Sequence, residues 1–207
     1  MAPSADATAP ITGRAGQVIL VGLPGSGKST VGRHLARRLQ QPFLDSDQVI
    51  EQHLGCSIRD YFDREGEAAF RDVEQAVLAE LCRRPRGVLA TGGGIVLREA
   101  NRNVLRATGW VVYLRSAPEE LARRLRHDVQ RPLLQVQDPL AKLRELHAVR
   151  DPLYREVADF VVENARRSVP MLVGTVLMQL ELAGLIGTDA ATQDSAAATV
   201  DEKPSLR

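Results

Sequence analysis

Residues 18–30 read Val18-Ile19-Leu20-Val21-Gly22-Leu23-Pro24-Gly25-Ser26-Gly27-Lys28-Ser29-Thr30, an apolar run that opens directly into a complete G-x-x-x-x-G-K-[ST] loop. The placement carries as much as the letters. A strand must deliver such a loop and a helix must begin at its end, so that backbone N–H groups converge on a phosphate chain. Val31, Leu35 and Leu39, apolar residues at four-residue spacing, announce that helix. Gly22, Gly25 and Gly27 supply the close backbone approach that a Cβ would block. Lys28 is placed to reach the β- and γ-phosphates, and the Ser29 hydroxyl to sit on Mg²⁺. Together Gly25, Ser26, Gly27, Lys28, Ser29 and Thr30 imply a nucleoside triphosphate as ligand. The competing reading is an ordinary glycine-rich turn between strand and helix.

Outward from the loop, strand and helix patterns alternate. Strand candidates are 18–21, 42–45, 87–90, 110–114 and 160–162. The spacing predicts helices over 28–39, 47–54, 57–62, 67–81, 98–107, 118–126, 139–157 and 169–182. Such alternation makes a parallel sheet covered by helices on both faces, with ligands outside the carboxyl ends of the strands. The expected fold is a three-layer α/β/α sandwich around a five-stranded parallel sheet, of the P-loop kinase type. Residues 1–16 are rich in Ala, Ser, Thr, Pro and Gly, and 187–207 are of low complexity. Both are expected to be disordered, leaving one folded domain over 17–186.

Composition narrows the function classes. The chain has 207 residues, is 44% hydrophobic and has a net charge of +1, which suits one full core and makes no electrostatic case for nucleic acid or an anionic membrane. No apolar stretch approaches the length of a membrane span, and residues 1–10 lack the apolar middle of a signal peptide. A cytoplasmic enzyme, working as a monomer, is the expectation. Only three of the 27 basic residues are Lys, so Arg dominates. Arg binds carboxylates and phosphates as a planar fork, although a coding bias accounts for most of the excess. Cys56 and Cys82 have no metal-ligand spacing and are read as reduced and structural.

The unusual residues follow the strands. Asp45-Ser46-Asp47 ends the second, setting two carboxylates one residue apart, one for a metal and one for an acceptor hydroxyl. Asp47 also suits the cap of the next helix. Thr91-Gly92-Gly93-Gly94 ends the third, where a ligand can lie against bare backbone or the chain can simply turn. Within 67–81, Arg71 and Glu74 share a helix face, as a surface pair or with Glu74 holding Arg71 toward an acidic ligand.

In this order the motifs resemble those of the shikimate kinases, a branch of the nucleoside-monophosphate-kinase-like P-loop proteins. The resemblance covers about 17–180. It rests on the P-loop, Leu44-Asp45-Ser46-Asp47, Phe70-Arg71-x-x-Glu74, the three glycines, Arg131-Pro132-Leu133-Leu134 and Arg150-x-Pro152-x-Tyr154. It implies ATP-dependent phosphorylation of the 3-hydroxyl of shikimate, with one Mg²⁺ as cofactor. Lys28 would contact the phosphates, Ser29 would ligate the metal, and Asp45 would hold it through water. Asp47 and the backbone of Gly92, Gly93 and Gly94 would take the substrate hydroxyls, and Arg71 and Arg150 its carboxylate. Arg131 would ride a mobile lid over about 124–138 and reach the transferred phosphate. Arg124 would stack on adenine, with the stretch 167–170 as the opposite wall. That stretch departs from the family's shorter Arg-x-Pro spacing, so no single residue is carried over from it. A kinase for another polyol acid such as gluconate, and a catalytically silent P-loop binding module, are the other readings.

Overall fold

The computed structural model describes residues 16–126, 138–165 and 167–187. Five strands alternate with seven helices: β1 (Gly16–Val21), α1 (Lys28–Arg38), β2 (Phe43–Asp45), α2 (Ser46–Leu54), α3 (Ile58–Leu81), β3 (Arg86–Ala90), α4 (Glu99–Thr108), β4 (Gly109–Arg115), α5 (Pro118–Arg124), α6 (Pro139–Val157), β5 (Phe160–Glu163) and α7 (Val169–Leu182). All five expected strands are present. The helices expected over 57–62 and 67–81 form one element, α3, broken only by Gly66 at φ +81°. Among the described residues no helix is long and apolar enough to cross a membrane.

The strands pair in parallel in the order β2-β3-β1-β4-β5. Their continuous apolar runs have a simple cause. In a strand, successive side chains face opposite sides, and here both sides are covered. Val18, Leu20, Val112, Leu114 and Val162 pack under Val31 and Leu35 of α1 and Leu172, Val176 and Leu180 of α7. Ile19, Val21, Val111 and Tyr113 face the other way, onto Phe70, Val77 and Leu78 of α3, Leu105 of α4 and Leu143, Leu146 and Tyr154 of α6. Each such buried aliphatic side chain contributes about 1.5–3 kcal/mol over exposure. The three-layer core is therefore fixed by strand residues of both parities.

Register then positions the site. Asp45 pairs with Ala90 and Ala90 with Leu20, so β2, β3 and β1 finish level at their carboxyl ends. The strand order reverses at β1, and the loops after β1, β2 and β3 share one crevice.

On the far side of β4, Asp151 of α6 ties the helix to the sheet. Its carboxylate accepts from Tyr113 Oη at 2.8 Å, Arg115 Nε at 2.9 Å and Arg155 Nε at 2.7 Å. Burial would raise its pKa, but the bonds from Arg155, Arg115 and Tyr113 outweigh it and bring the group from 3.8 to about 2. A depressed carboxylate stabilises the fold above its unfolded pKa, and that stability is lost as pH falls through the folded value. Asp151→Asn is therefore expected to lower stability at neutral pH and to flatten its decline between about pH 4 and 2. Denaturant titrations across that range test it; a deficit in the variant that does not shrink with acidification would contradict the assignment.

Candidate active site

The P-loop leaves β1 and closes on α1. Gly27, at φ +88° and ψ 14°, is the N-cap of α1 and offers no side-chain cap, so the first-turn N–H groups stay available to an anion. Gly25, at φ +80°, is tightly covered, since a Cβ there would stand 2.7 Å from Leu125. Lys28 Nζ donates to the carbonyls of Gly22 at 2.8 Å and Leu23 at 3.0 Å. These bonds hold the ammonium over the loop that it would serve. Thr30 lies in the first turn of α1, behind Lys28 and Ser29.

Ser29 Oγ donates to Asp45 Oδ2 at 2.6 Å, bringing together the two residues expected at a metal. Asp45 Oδ1 accepts from the backbone N–H of Asp47 at 3.1 Å, making Asp45 the N-cap of α2. The capping role considered for Asp47 thus belongs to Asp45, because the helix begins one residue earlier than expected. Asp47 is left in the first turn, where its carboxylate is not needed by the cap. Among the described residues no three His, Cys, Asp or Glu gather as a metal cage. Mg²⁺ needs none: it is hard, keeps waters, and takes one or two protein oxygens beside substrate phosphate. Ser29 and Asp45 fit that donor set.

The three glycines explain how the residues expected at an acid substrate converge. A Cβ on Gly92 would stand 2.6 Å from Asp47 Oδ1, on Gly93 2.7 Å from Pro24 Cδ, and on Gly94 2.6 Å from Arg71 Cζ. Side chains from α2, the P-loop and α3 therefore touch the same stretch of backbone. Ser46 Oγ accepts from the N–H of Gly92 at 2.9 Å and fixes the start of the loop.

Arg71 is 7% exposed and gripped from two sides. Glu74 Oε2 accepts from Nη1 at 2.8 Å, and Glu67 Oε1 from Nη2 at 2.9 Å and Nε at 3.2 Å. Burial works against the guanidinium charge, but Glu74 and Glu67 raise its pKa above the ordinary value. Burial pushes the Glu74 carboxyl up, opposed by Arg71, with Asp47 adding to the rise and Arg150 opposing it. Those four groups thus share one electrostatic neighbourhood. Glu74 is the residue that orients Arg71, as the spacing suggested; Glu67 was not foreseen.

Arg150 comes from α6 and donates through Nη1 to the carbonyl of Gly93 at 3.0 Å. Its Nε is buried without a hydrogen-bond partner among the described residues. Tyr154, one turn on, donates its hydroxyl to the same carbonyl. This second anchor sits 61 residues from Gly93 in the chain; the motif Arg150-x-Pro152-x-Tyr154 includes Tyr154 but gave it no role.

On the opposite side of the P-loop, Arg124 Nη2 donates to the backbone and side-chain oxygens of Asn164, each at 3.3 Å. Asn164 Nδ2 donates to the carbonyl of Ser26 at 2.7 Å. Asn164 follows β5 and was missed in the sequence. Arg167 donates to Thr175 on the surface of α7, and Pro170 lies in the first turn of that helix. Arg131 and most of the expected lid, 127–137, lie outside the described residues.

A strand-borne P-loop, a Ser–Asp pair at its end and an Arg-lined glycine crevice beside it characterise a kinase for a small acid, and the comparisons agree. The family model for shikimate kinase matches residues 24–181. The chain belongs to the shikimate kinase family. The shikimate kinase of Paracidovorax citrulli is 63% identical over 169 residues, covering 80% of this chain and 92% of that one. That of Burkholderia pseudomallei is 57% identical over 169 residues, covering 82% and 92%. The shikimate kinase of Acinetobacter baumannii, solved in complex with shikimate, superposes with a TM-score of 0.78 at 46% identity, over 83% of this chain and 95% of that one. The Aquifex aeolicus enzyme gives 0.71 at 33% identity, over 83% and 99%.

Proposed function

We infer that the protein transfers the γ-phosphoryl group of ATP to the 3-hydroxyl of shikimate, releasing ADP and shikimate 3-phosphate, a step of aromatic amino-acid biosynthesis. The observation that carries this reading is the convergence of Arg71, Arg150 and Asp47 on Gly92, Gly93 and Gly94 beside the P-loop. Shikimate is a small anion with three hydroxyls, so its site needs fixed cations, a hydroxyl acceptor and approachable backbone. Two guanidiniums, one of them with a buried Nε that has no hydrogen-bond partner among the described residues, suit its carboxylate. Asp47 suits a hydroxyl.

Phosphoryl transfer runs on positioning and charge neutralisation more than on covalent chemistry. Lys28 exchanges its loop carbonyls for phosphate oxygens, and the α1 N-terminus with Gly25, Ser26, Gly27 and Thr30 cradles the chain of phosphates. Ser29, and Asp45 through water, would hold Mg²⁺, which would supply neutralising charge at the phosphates. Arg71 and Arg150 fix the carboxylate, and Asp47 orients the attacking hydroxyl and takes its proton late. Arg124 stacks on adenine. Arg131, carried on a lid over 124–138, closes over the transferring group and helps to exclude water, a competing acceptor. The protein works as a cytoplasmic monomer without nucleic-acid or membrane partners.

A coupled ADP-release assay against shikimate, gluconate and other hydroxy acids tests the reading. ADP release dependent on shikimate supports it; preference for another acid moves the assignment to that acid, and ATP binding without turnover on any acceptor leaves only a binding module. Residues 17–186 are sufficient for this activity in the same reading. Removing 1–14 and 190–207 is expected to leave kcat and Tm nearly unchanged, since neither segment has the apolar content to repay its ordering. A strong loss of rate in both truncations would mean that a tail docks on the domain.

A further inference from the structure

We propose that Asn164 is a positioning residue for the nucleotide, fixing the P-loop backbone and Arg124 with one side chain. The proposal rests on the reading of Arg124 as the adenine-stacking residue and of the P-loop as the phosphate site.

Asn164 is 1% exposed and sits just beyond β5, at the carboxyl end of the sheet. Its backbone N–H donates to the carbonyl of Arg115 at 2.7 Å, which locks it to the end of β4. From that fixed base the side-chain amide reaches both ways. Nδ2 donates to the Ser26 carbonyl at 2.7 Å, and Oδ1 accepts from Arg124 Nη2 at 3.3 Å. The two neighbours decide the orientation of the amide: a carbonyl requires a donor and a guanidinium an acceptor.

The consequence lies in the Ser26–Gly27 peptide. A trans peptide is planar, with its C=O and N–H pointing opposite ways. Holding the Ser26 carbonyl toward Asn164 sends the Gly27 N–H away from Asn164, onto the side of the loop where phosphate would lie. Gly27, at φ +88° and ψ 14°, has the backbone freedom to let that plane turn, so the anchor must come from elsewhere. Asn164 is that anchor. The same amide braces the guanidinium of Arg124, so phosphate cradle and base platform share one support. A neutral amide suits the position, because a carboxylate would face a carbonyl and add negative charge near the phosphates.

The test compares Asn164→Asp, Asn164→Ala and Arg124→Ala with the full-length chain, measuring steady-state kinetics with each substrate varied and ADP affinity by titration calorimetry. Asn164→Asp keeps the shape and the acceptor for Arg124 but loses the donor to Ser26. It is expected to weaken ADP and raise the ATP KM about tenfold, with the shikimate KM changed by less than about twofold. Asn164→Ala is expected to do at least as much, and its effect to shrink in the Arg124→Ala background. Wild-type ADP affinity in Asn164→Asp, or equal losses for ATP and shikimate, would overturn the proposal. So would a fall in Tm alone. If Asn164→Ala does not fold, the isosteric Asp variant still decides. If Arg124→Ala leaves ADP affinity unchanged, the adenine reading fails, while Asn164→Asp still decides the Ser26 tie.

Discussion

Lys28→Ala is expected to abolish turnover while the protein stays folded. The ammonium sits at the end of the P-loop and donates to polar backbone there, the carbonyls of Gly22 and Leu23. Its truncation takes no apolar side chain from either core cluster. What it removes, in the proposed mechanism, is a fixed positive charge where negative charge would spread over the transferring phosphoryl group. Loss of a charge contact made mainly in the transition state costs on the order of a hundredfold or more in rate. The same substitution leaves the buried carbonyls of Gly22 and Leu23 without these donors, a cost of about 1–3 kcal/mol that should lower Tm without unfolding the protein. Kinetics and a melting curve on the same preparation separate the two effects. A variant that turns over near normally would remove Lys28 from the mechanism.

The order of strands and helices was open to sequence reading because both faces of this sheet are covered. Val18-Ile19-Leu20-Val21 has no polar position, since alternate residues meet α1 and α7 on one side and α3 and α6 on the other. The P-loop and the Arg71–Glu74 pair were equally legible, being local patterns of fixed spacing. What escaped depends on contacts between distant parts of the chain. Asn164 meets Ser26 across 138 residues, and Tyr154, part of the motif Arg150-x-Pro152-x-Tyr154 but given no role by it, meets Gly93 across 61. A tyrosine in an amphipathic helix and an asparagine after a strand look like core and turn until the topology brings β3 and β5 to either side of β1. The cap at α2 is a smaller case. Asp45 and Asp47 are the same residue type two positions apart, and only the backbone of Asp45, extended at φ −126° and ψ 119°, shows which one caps.

Asp47 and Arg71 are expected to separate chemistry from binding. Asp47→Asn keeps the shape and one acceptor oxygen but loses the charge that, in the proposed mechanism, orients the reacting hydroxyl and takes its proton. The expected result is a fall in kcat of about 10²–10⁴-fold with a smaller change in the shikimate KM. The fold should tolerate it, because the cap of α2 is Asp45. Arg71 calls for a gentler change. Deleting it would leave Glu74 buried at 2% exposure without its cation, a loss of about 3–5 kcal/mol that would confuse stability with binding. Arg71→Lys retains the charge for Glu74 but exchanges a planar fork for a point charge. Since the carboxylate is held in ground and transition states alike, the shikimate KM should rise about tenfold or more while kcat changes less. ATP should bind almost as before, because its phosphates would lie on the P-loop and not on α3. Equal weakening of ATP and shikimate in Arg71→Lys would show that the guanidinium supports the fold of the whole crevice and does not clamp the acid. Normal turnover in Asp47→Asn would remove Asp47 from that role; among the described residues Asp45 is bonded by Ser29 and the α2 cap and Glu74 by Arg71, so neither would replace it without giving up those bonds.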